Sequence, residues 1–588
     1  MRSVDASRPI ATGSRRSTET RSPLDVTLDG PPLGVGRPQH RYDRLLEILP
    51  GAVTWLLILA PVVLSFSVPA LVAWFVLSFD FYWLYRAVVV IVSVTVTYLR
   101  IRDVLDADWP AQLDGLVDLR SRERVLVDRI ERIRVRVREL DRAGDRLAAR
   151  GGRREARRLE AELVTVRRLL ASGIEPLDPR QLVQVALIPT YTEPYEKLEA
   201  TVQALADARW PTARKVVAII TRETDTQGRE NVARLRERFG TRFAHFFHIL
   251  DPLEPGVVIG KSSAMAYGGR WLYRQMVELG YDPSLVIVTD LDSDYRVHPQ
   301  YFAYLAHRFA TDPDRYHRLY QPVPMFHNNL WEVPLAVRLT AVSATHIQMW
   351  RSLSPERLVS FSSYAVSLRT VHEVGYWATD AIPEDSRFYW KSFFTYAGTF
   401  RAEPLFIPVF GDAVRARTYP RTLYQQYTQI RRWAWGVTDI PYYIRHALTH
   451  PEIPLRVRLH RLGDLWSDHI NWAVAPYVLV FGSNLPLLIS NQFGHSEFAQ
   501  TTLGHNLPVY AAWMLTAAFC SLMILIFIED RIAPPRPASW GVVRRALVYV
   551  QWLTLPVVGM IFSNLPALDA QTRLMTGRRL EYRVTEKV

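Results

Sequence analysis

The sequence predicts an α/β domain with a mostly parallel sheet, set between apolar helices long enough to cross a membrane. Three observations carry this. Buried-type strands recur at residues 181–189, 216–221 and 286–288, and a helical pattern opens at Leu198 between the first two. Strands that alternate with helices make a parallel sheet. Uncharged apolar stretches, such as 52–79 and 509–528, reach the ~20 residues that a helix needs to span a bilayer core. The third observation is an arginine-rich stretch, 120–170, in which Leu126, Ile130, Ile133, Val137 and Leu140 recur at spacings of four and three, as do Leu159, Leu163, Val166 and Leu170. That pattern predicts an antiparallel helical hairpin with a leucine seam, a coiled coil broken at Gly151-Gly152.

Composition narrows the function classes. Apolar residues form 49% of the 588-residue chain and mean hydropathy is −0.02, which suits a soluble domain joined to membrane spans. The net charge of +13 comes largely from arginine. Beside long apolar segments it reads as cytoplasmic loops facing anionic lipid rather than as a nucleic-acid surface, so no nucleic-acid partner is expected. Cys520 is the only cysteine, which excludes an intrachain disulfide and a secreted disulfide scaffold; its apolar surroundings predict an inert packed thiol.

In chain order, residues 1–50 read as a disordered basic tail without the layout of a signal peptide. Residues 51–100 predict a transmembrane hairpin joined near Asp80. Residues 101–178 hold the arginine-rich hairpin, which is a solvated spacer, a self-association surface or a contact for anionic headgroups. The α/β domain takes 179–440, interfacial helices and further spans (472–489 and 509–528) take 441–568, and a basic tail takes 569–588. The loop between the last two spans has no Lys or Arg, whereas Arg456, Arg458 and Arg461 precede the pair and Arg531, Arg536, Arg544 and Arg545 follow it. The positive-inside rule therefore places the domain in the cytosol, on a multi-pass inner-membrane protein. A fifth apolar segment, 546–568, contains Pro556 and Pro566. If it crossed, the basic tail would face outward, so an interfacial or re-entrant helix is expected.

Chemistry centres on VIVTDLDSDYRV at 286–297. Asp290, Asp292 and Asp294 crowd together where a strand opens into a loop. Carboxylates that close repel one another unless a cation sits among them, and hard oxygen ligands suit Mg²⁺ or Mn²⁺, which would in turn hold a diphosphate. Short D-x-D matches also arise by chance, as solvated turns or Ca²⁺ loops. In a parallel sheet, ligands sit at the carboxyl ends of the strands, where the loop Thr190-Tyr191-Thr192-Glu193-Pro194, the pair Arg222-Glu223 and the acidic cluster all fall.

Five pieces in order, ALIPTYTEP, GKSSAMAYG, DLDSD, PED at 383–385 and QIRRW at 429–433, resemble the family 2 glycosyltransferases, the membrane-embedded inverting enzymes that include cellulose, chitin and hyaluronan synthases. The resemblance covers about 185–436 and the extreme C-terminus. It implies a GT-A fold, a nucleotide-sugar donor, UDP-linked by preference, and a metal ion. Thr190 and Glu193 match the donor's base and ribose site. The family's Asp-Asp at the second strand is Thr221-Arg222-Glu223 here, with Glu223 as the substitute. Lys261 would meet a phosphate as a point charge, or is an ordinary surface lysine.

The resemblance makes Asp294 the preferred metal ligand and Asp292 its diphosphate or metal neighbour, with Asp290 a bystander. Asp385 matches the aspartate of the Thr-Glu-Asp motif, the base that takes the acceptor hydroxyl's proton. Gln429, Arg432 and Trp433 match the acceptor-site signature of processive synthases, with Trp435 expected to pack at a membrane interface. Gln321-Pro322 and Asn328-Asn329-Leu330-Trp331 lie where relatives shape the donor and acceptor cavity, whereas FSSYAVSLR at Phe361 departs from the glycine-containing acceptor loop usual in cellulose synthases. Tyr582, Thr585 and Lys587 resemble the Phe-x-Val-Thr-x-Lys gating loop. The implied function is elongation of a polysaccharide with translocation; transfer of a single sugar to a lipid and a non-catalytic nucleotide-binding scaffold are the alternatives.

Overall fold

The computed structural model describes residues 41–254, 257, 259–482 and 496–580. Its centre is a mixed eight-stranded sheet in the order β3-β2-β1-β4-β7-β6-β8-β5: β1 is Val183–Pro189, β2 Lys215–Arg222, β3 His245–Asp251, β4 Val286–Asp290, β5 Arg296–Val297, β6 Arg318–Met325, β7 Ala365–Ser367 and β8 Arg401–Phe410. Strands β3, β2, β1 and β4 are parallel. β7 runs antiparallel to both its neighbours, and β6 and β8 are parallel to each other. The β-branched runs read as strands are β1, β2 and β4, buried on both faces. Val183, Val185 and Leu187 of β1 point into one core with the Lys261–Glu278 helix, while Ala186 and Ile188 point into the other with the Tyr301–Thr311 helix. This strand alternation feeds two apolar layers, as a sheet covered on both faces requires.

Among the described residues four helices are long and apolar enough to cross a membrane: Tyr42–Leu64, Pro69–Leu105, Leu507–Ile532 and Val542–Thr576. The first two meet at residues 65–68, not near Asp80, which is buried in mid-helix. Proline explains the difference. Val68 takes φ −136°, and Pro69 opens the second helix, because the residue before proline avoids the α region while a first-turn proline has no hydrogen bond to lose. A lone carboxylate leaves the backbone ladder intact.

Residues 41–50, expected in the disordered tail, form the start of the Arg41–Leu64 helix. Glu47 is buried there, bonded by Arg44 at 2.9 Å and by Arg579 at 2.7 Å, and Asp43 pairs with Arg445. Such pairing is what lets charged groups leave water. Residues 1–40, and 483–489 of the span expected at 472–489, lie outside the described residues; Trp472 itself sits in the Leu455–Phe481 helix. Pro556 and Pro566 each fall in the first turn of a helical segment, Leu555–Gly559 and Leu565–Thr576, where the path through 542–576 tolerates them. The second of these helices extends to Thr576, into what the sequence suggested was tail. Cys520, expected to be packed, is exposed on the Leu507–Ile532 helix.

The arginine-rich stretch forms helices Leu119–Arg142 and Arg146–Ser172. Ion pairs Arg122–Glu162 (2.6 Å), Arg129–Glu155 (2.8 Å) and Arg153–Asp141 (2.8 Å) run in opposite chain directions. The turn is at 143–145, not at Gly151-Gly152. Gly144 takes φ +78° and Asp145 caps the next helix through Ala148 N–H at 3.0 Å. Gly152 instead lets the helices touch, since a Cβ there would lie 2.5 Å from Val137 Cγ2.

A buried ion pair locks the domain to the helices that follow it. Arg387 Nε donates to Asp439 Oδ1 at 2.8 Å, both side chains 1% exposed. Removing one partner strands the other charge, so Arg387→Met should lower stability by about 3–5 kcal/mol, read as the thermal unfolding midpoint in detergent. Adding Asp439→Leu should recover much of that loss.

Candidate active site

The carboxyl ends of β1, β2 and β4 share one edge of the sheet, with Leu187 opposite Asp290 and Pro189 opposite Ile220. The acidic loop leaving β4 meets two other elements at this edge. Lys261, the first residue of its helix, places Nζ 3.2 Å from Asp290 Oδ1, 2.8 Å from Asp292 Oδ1, 3.1 Å from Glu384 Oε1 and 3.4 Å from Asp385 Oδ1. Lys261 is therefore no surface lysine. Nor is Asp290 a bystander: it is fully buried against that ammonium. Glu384 was not singled out in the sequence, although its place beside Asp385 was the available signal.

Four carboxylates surround one ammonium, and the electrostatics follow. Burial alone would lower the Lys261 pKa, but Asp290, Asp292, Asp385 and Glu384 raise it well above the ordinary value. Burial first, with Asp292 and Glu384 adding to it against Lys261, pushes Asp290 up to about 7. Asp385 is likewise held well above the carboxylate range, by burial and then by Glu384. A site with excess negative charge keeps its protons or takes a cation.

The remaining aspartate is held from behind. Asp294 is buried, and its carboxylate accepts the Asp412 N–H at 3.2 Å. Asn328 Nδ2 reaches the Asp294 carbonyl at 3.1 Å and Asp412 Oδ1 at 3.0 Å, while Lys197 pairs with Asp412 at 2.9 Å. Asp292 accepts from Ser362 Oγ, in the stretch following Phe361, where Ser363 has φ +68°. Sequence reasoning missed Lys197 and Asp412, because neither carries a motif of its own, and it marked the stretch holding Ser362 without singling that residue out.

The β1 loop is shaped by its own side chains. Thr190 Oγ1 donates to Glu193 Oε2 at 2.7 Å, the Tyr191 N–H reaches the same carboxylate, and Thr192 sits at φ +61°. Burial pushes the Glu193 carboxyl up, opposed by those hydrogen bonds. At the end of β2, Arg222 turns toward the cavity, pairing with Asp251 and donating to Ser263 Oγ at 3.0 Å, whereas Glu223 is exposed and does not line the cavity. β2 ends at Arg222 and Glu223 begins the turn that follows, so the strand holds the first against Asp251 while the turn leaves the second in solvent.

Gln429, Arg432 and Trp433, on the Tyr419–Ala434 helix, line the same cavity as Asp292, Asp294 and Asp385. Trp433 lies 5.8 Å from the Phe326 ring. Trp435 is not at a membrane interface but fully buried in the core. Tyr582, Thr585 and Lys587 lie outside the described residues. The cavity, of about 1540 Å³, continues from the carboxylates to the faces of apolar helices, where Trp83, Ile91, Trp472, Leu522, Asn564 and Val558 form its wall.

Residues 287–528 match the family model described as glycosyl transferase family group 2. That stretch, under half of the chain, is similar to the family 2 glycosyltransferases. No curated protein matches the chain. Among solved structures, the mannosyltransferase PcManGT from Pyrobaculum calidifontis, in complex with GDP-Man and Mn²⁺, is 15% identical over 59% of this chain and 89% of its own, with a TM-score of 0.36. S. aureus TarS 1-349 in complex with UDP-GlcNAc is 12% identical over 58% of this chain and 90% of its own, with a TM-score of 0.31.

The raised Asp290 pKa has a measurable sign. Between the ordinary 3.8 and about 7 the folded chain holds a proton that the unfolded chain has released, so Asp290 makes stability fall as pH rises through that window. Asp290→Asn should flatten the decline of the unfolding midpoint over this range; an unchanged slope would place the titration elsewhere.

Proposed function

We propose that the chain is an inverting, GT-A type glycosyltransferase that moves a sugar from a nucleoside diphosphate donor onto a growing glycan and passes the product along its apolar helices. One observation carries this reading. A single cavity holds Asp292, Asp294 and Asp385 beside Gln429, Arg432 and Trp433, and runs on to the membrane-type helices. Its far wall mixes indoles with Asn471, Asn564 and Ser521, a surface suited to sugars, which present apolar C–H faces and a rim of hydroxyls. Basic segments around the C-terminal spans support a cytosolic domain at the inner membrane.

In this reading Asp385 takes the proton of the acceptor hydroxyl as its oxygen bonds to the anomeric carbon and the bond from that carbon to the diphosphate breaks. Arg432 reaches a diphosphate oxygen and the Trp433 indole holds the acceptor sugar's apolar face. Thr190 and Glu193 line the nucleotide end, and Arg222, rather than the outward-facing Glu223, is the β2 residue placed to meet it. Asp292 and Asp294 are the side chains that would hold Mg²⁺ or Mn²⁺. Their carboxylate oxygens are the hard donors such an ion takes, and Mg²⁺ binds through one or two carboxylates with substrate phosphates completing its shell; among the described residues no three His, Cys, Asp or Glu side chains gather into a metal site of their own. When bound, the ion neutralises charge on the departing diphosphate.

Release of nucleoside diphosphate by the purified protein in nanodiscs, across UDP- and GDP-sugars with Mn²⁺ or Mg²⁺, tests the reading. Asp385→Asn should cut turnover by about 10²–10⁴-fold, the usual worth of a positioned base, with donor binding retained. Because the Asp385 pKa is raised, wild-type turnover should climb with pH above the ordinary carboxylate range. Nucleotide binding without turnover, whatever the acceptor, would support the scaffold reading instead, and a single glycolipid product would replace elongation by one transfer.

A further inference from the structure

Arg86 plays no part in the chemistry above, yet it lies on the Pro69–Leu105 helix, in the wall of the same cavity. Counted from Pro69, its seventeen-residue offset corresponds to about 26 Å of helix, close to the far edge of a ~30 Å bilayer core. Its guanidinium carbon stands 4.2 Å from the Trp350 ring, at the end of the Leu335–Arg351 helix of the α/β domain. Arg86 is thus where a membrane-type helix meets the soluble domain.

The nearby cations are matched, but Arg86 is not. Arg351 pairs with Asp468 at 3.0 Å, and Arg357 with Asp464 at 2.8 Å. Arg86 makes no ion pair of its own among the described residues: Asp468, which attracts it from a distance, is held by Arg351, and the Arg86 Nε is buried without a hydrogen bond. The Trp350 face supplies cation–π attraction, but the donors of the guanidinium edge stay open. An ionisable side chain at membrane depth is costly, and it persists where a counter-charge or a ligand supplies what the fold withholds. Arg351, Arg357 and Arg86 line the cavity together, and Arg351 lies 5.3 Å from the Phe361 ring. Phe361 precedes Ser362, which bonds Asp292, and the neighbouring Ser360 bonds the Asp385 carbonyl. Arg86 thus reaches the carboxylate cluster through Trp350, Arg351 and the 360–362 loop.

We propose that Arg86, supported by Arg351 and Arg357, binds the phosphate of a membrane lipid that is either the acceptor itself or the anchor of the glycan being extended. The planar guanidinium offers two parallel N–H donors to phosphate oxygens. On the bilayer side of Arg86 the cavity wall continues with Trp83 of the same helix and Ala518 of the Leu507–Ile532 helix, an apolar surface for the start of an alkyl chain. This inference rests on the glycosyltransferase reading for what the lipid is used for, but not for the binding itself.

The test is binding of decyl phosphate to the full chain in dodecyl maltoside, followed by tryptophan fluorescence, with decyl glucoside and inorganic phosphate as comparison probes. Wild type should bind decyl phosphate in preference to both, and Arg86→Gln should weaken it by about 10- to 100-fold, the range for losing a charge-assisted hydrogen-bond partner. Arg86→Lys, which keeps the charge without the fork, should fall between them. Equal affinity in wild type and Arg86→Gln, or decyl glucoside bound as tightly as decyl phosphate, overturns the site. Inorganic phosphate bound as tightly overturns the lipid source. UDP binding by the same preparations shows that each variant is folded, and it reads the donor site independently of this one.

Discussion

The Lys261 ammonium is shared by four carboxylates, two from the β4 loop and two from the start of the Glu384–Thr395 helix. Without it, those segments would present like charges to each other inside a low-dielectric wall, where repulsion is far stronger than in water. With it, the loop and the helix are drawn to one point. The compensation is partial, since one ammonium faces four carboxylates. Burial and the neighbouring carboxylates push Asp290 up to about 7, the mark of a pocket with more negative charge than Lys261 offsets.

The fold holds this unbalanced cluster in place from outside. The Arg387–Asp439 pair fixes the helix that presents Glu384 and Asp385, and Ser386 Oγ donates to the same Asp439 at 2.5 Å. On the other side Asn328 and Asp412 clamp the backbone and side chain of Asp294. These are buried polar contacts with their partners in place, the condition under which such networks add rigidity rather than cost. The sheet contributes by ending β1, β2 and β4 at one edge, so that three loops distant in sequence share a rim.

The apolar helices are part of the same construction. The Pro69–Leu105 helix packs on the α/β domain, where Thr97 Oγ1 donates to the Met349 carbonyl at 2.7 Å, and the Leu565–Thr576 helix pairs Asp569 with Arg431 at 2.9 Å, beside Arg432. Cavity and membrane-type helices are thus joined by specific bonds, not by a flexible tether.

The amino-acid sequence by itself determined three of the eight strands, β1, β2 and β4, whose short β-branched runs, such as VVAIIT and VIVT, suit a sheet buried on both faces. It also picked out Asp292, Asp294, Asp385, Gln429, Arg432 and Trp433 from motif type and order, and these six all line one cavity. Proline placement was legible too, yet the uncharged run up to Asp80 outweighed it, and the helix joint was read too late. Only the tertiary structure decided the rest. Whether Arg222 or Glu223 faces inward depends on where β2 ends, and whether Lys261 meets phosphate or carboxylate depends on a helix brought against it from more than a hundred residues away. Local propensity reports a residue's neighbours in the chain, whereas charge compensation depends on its neighbours in space.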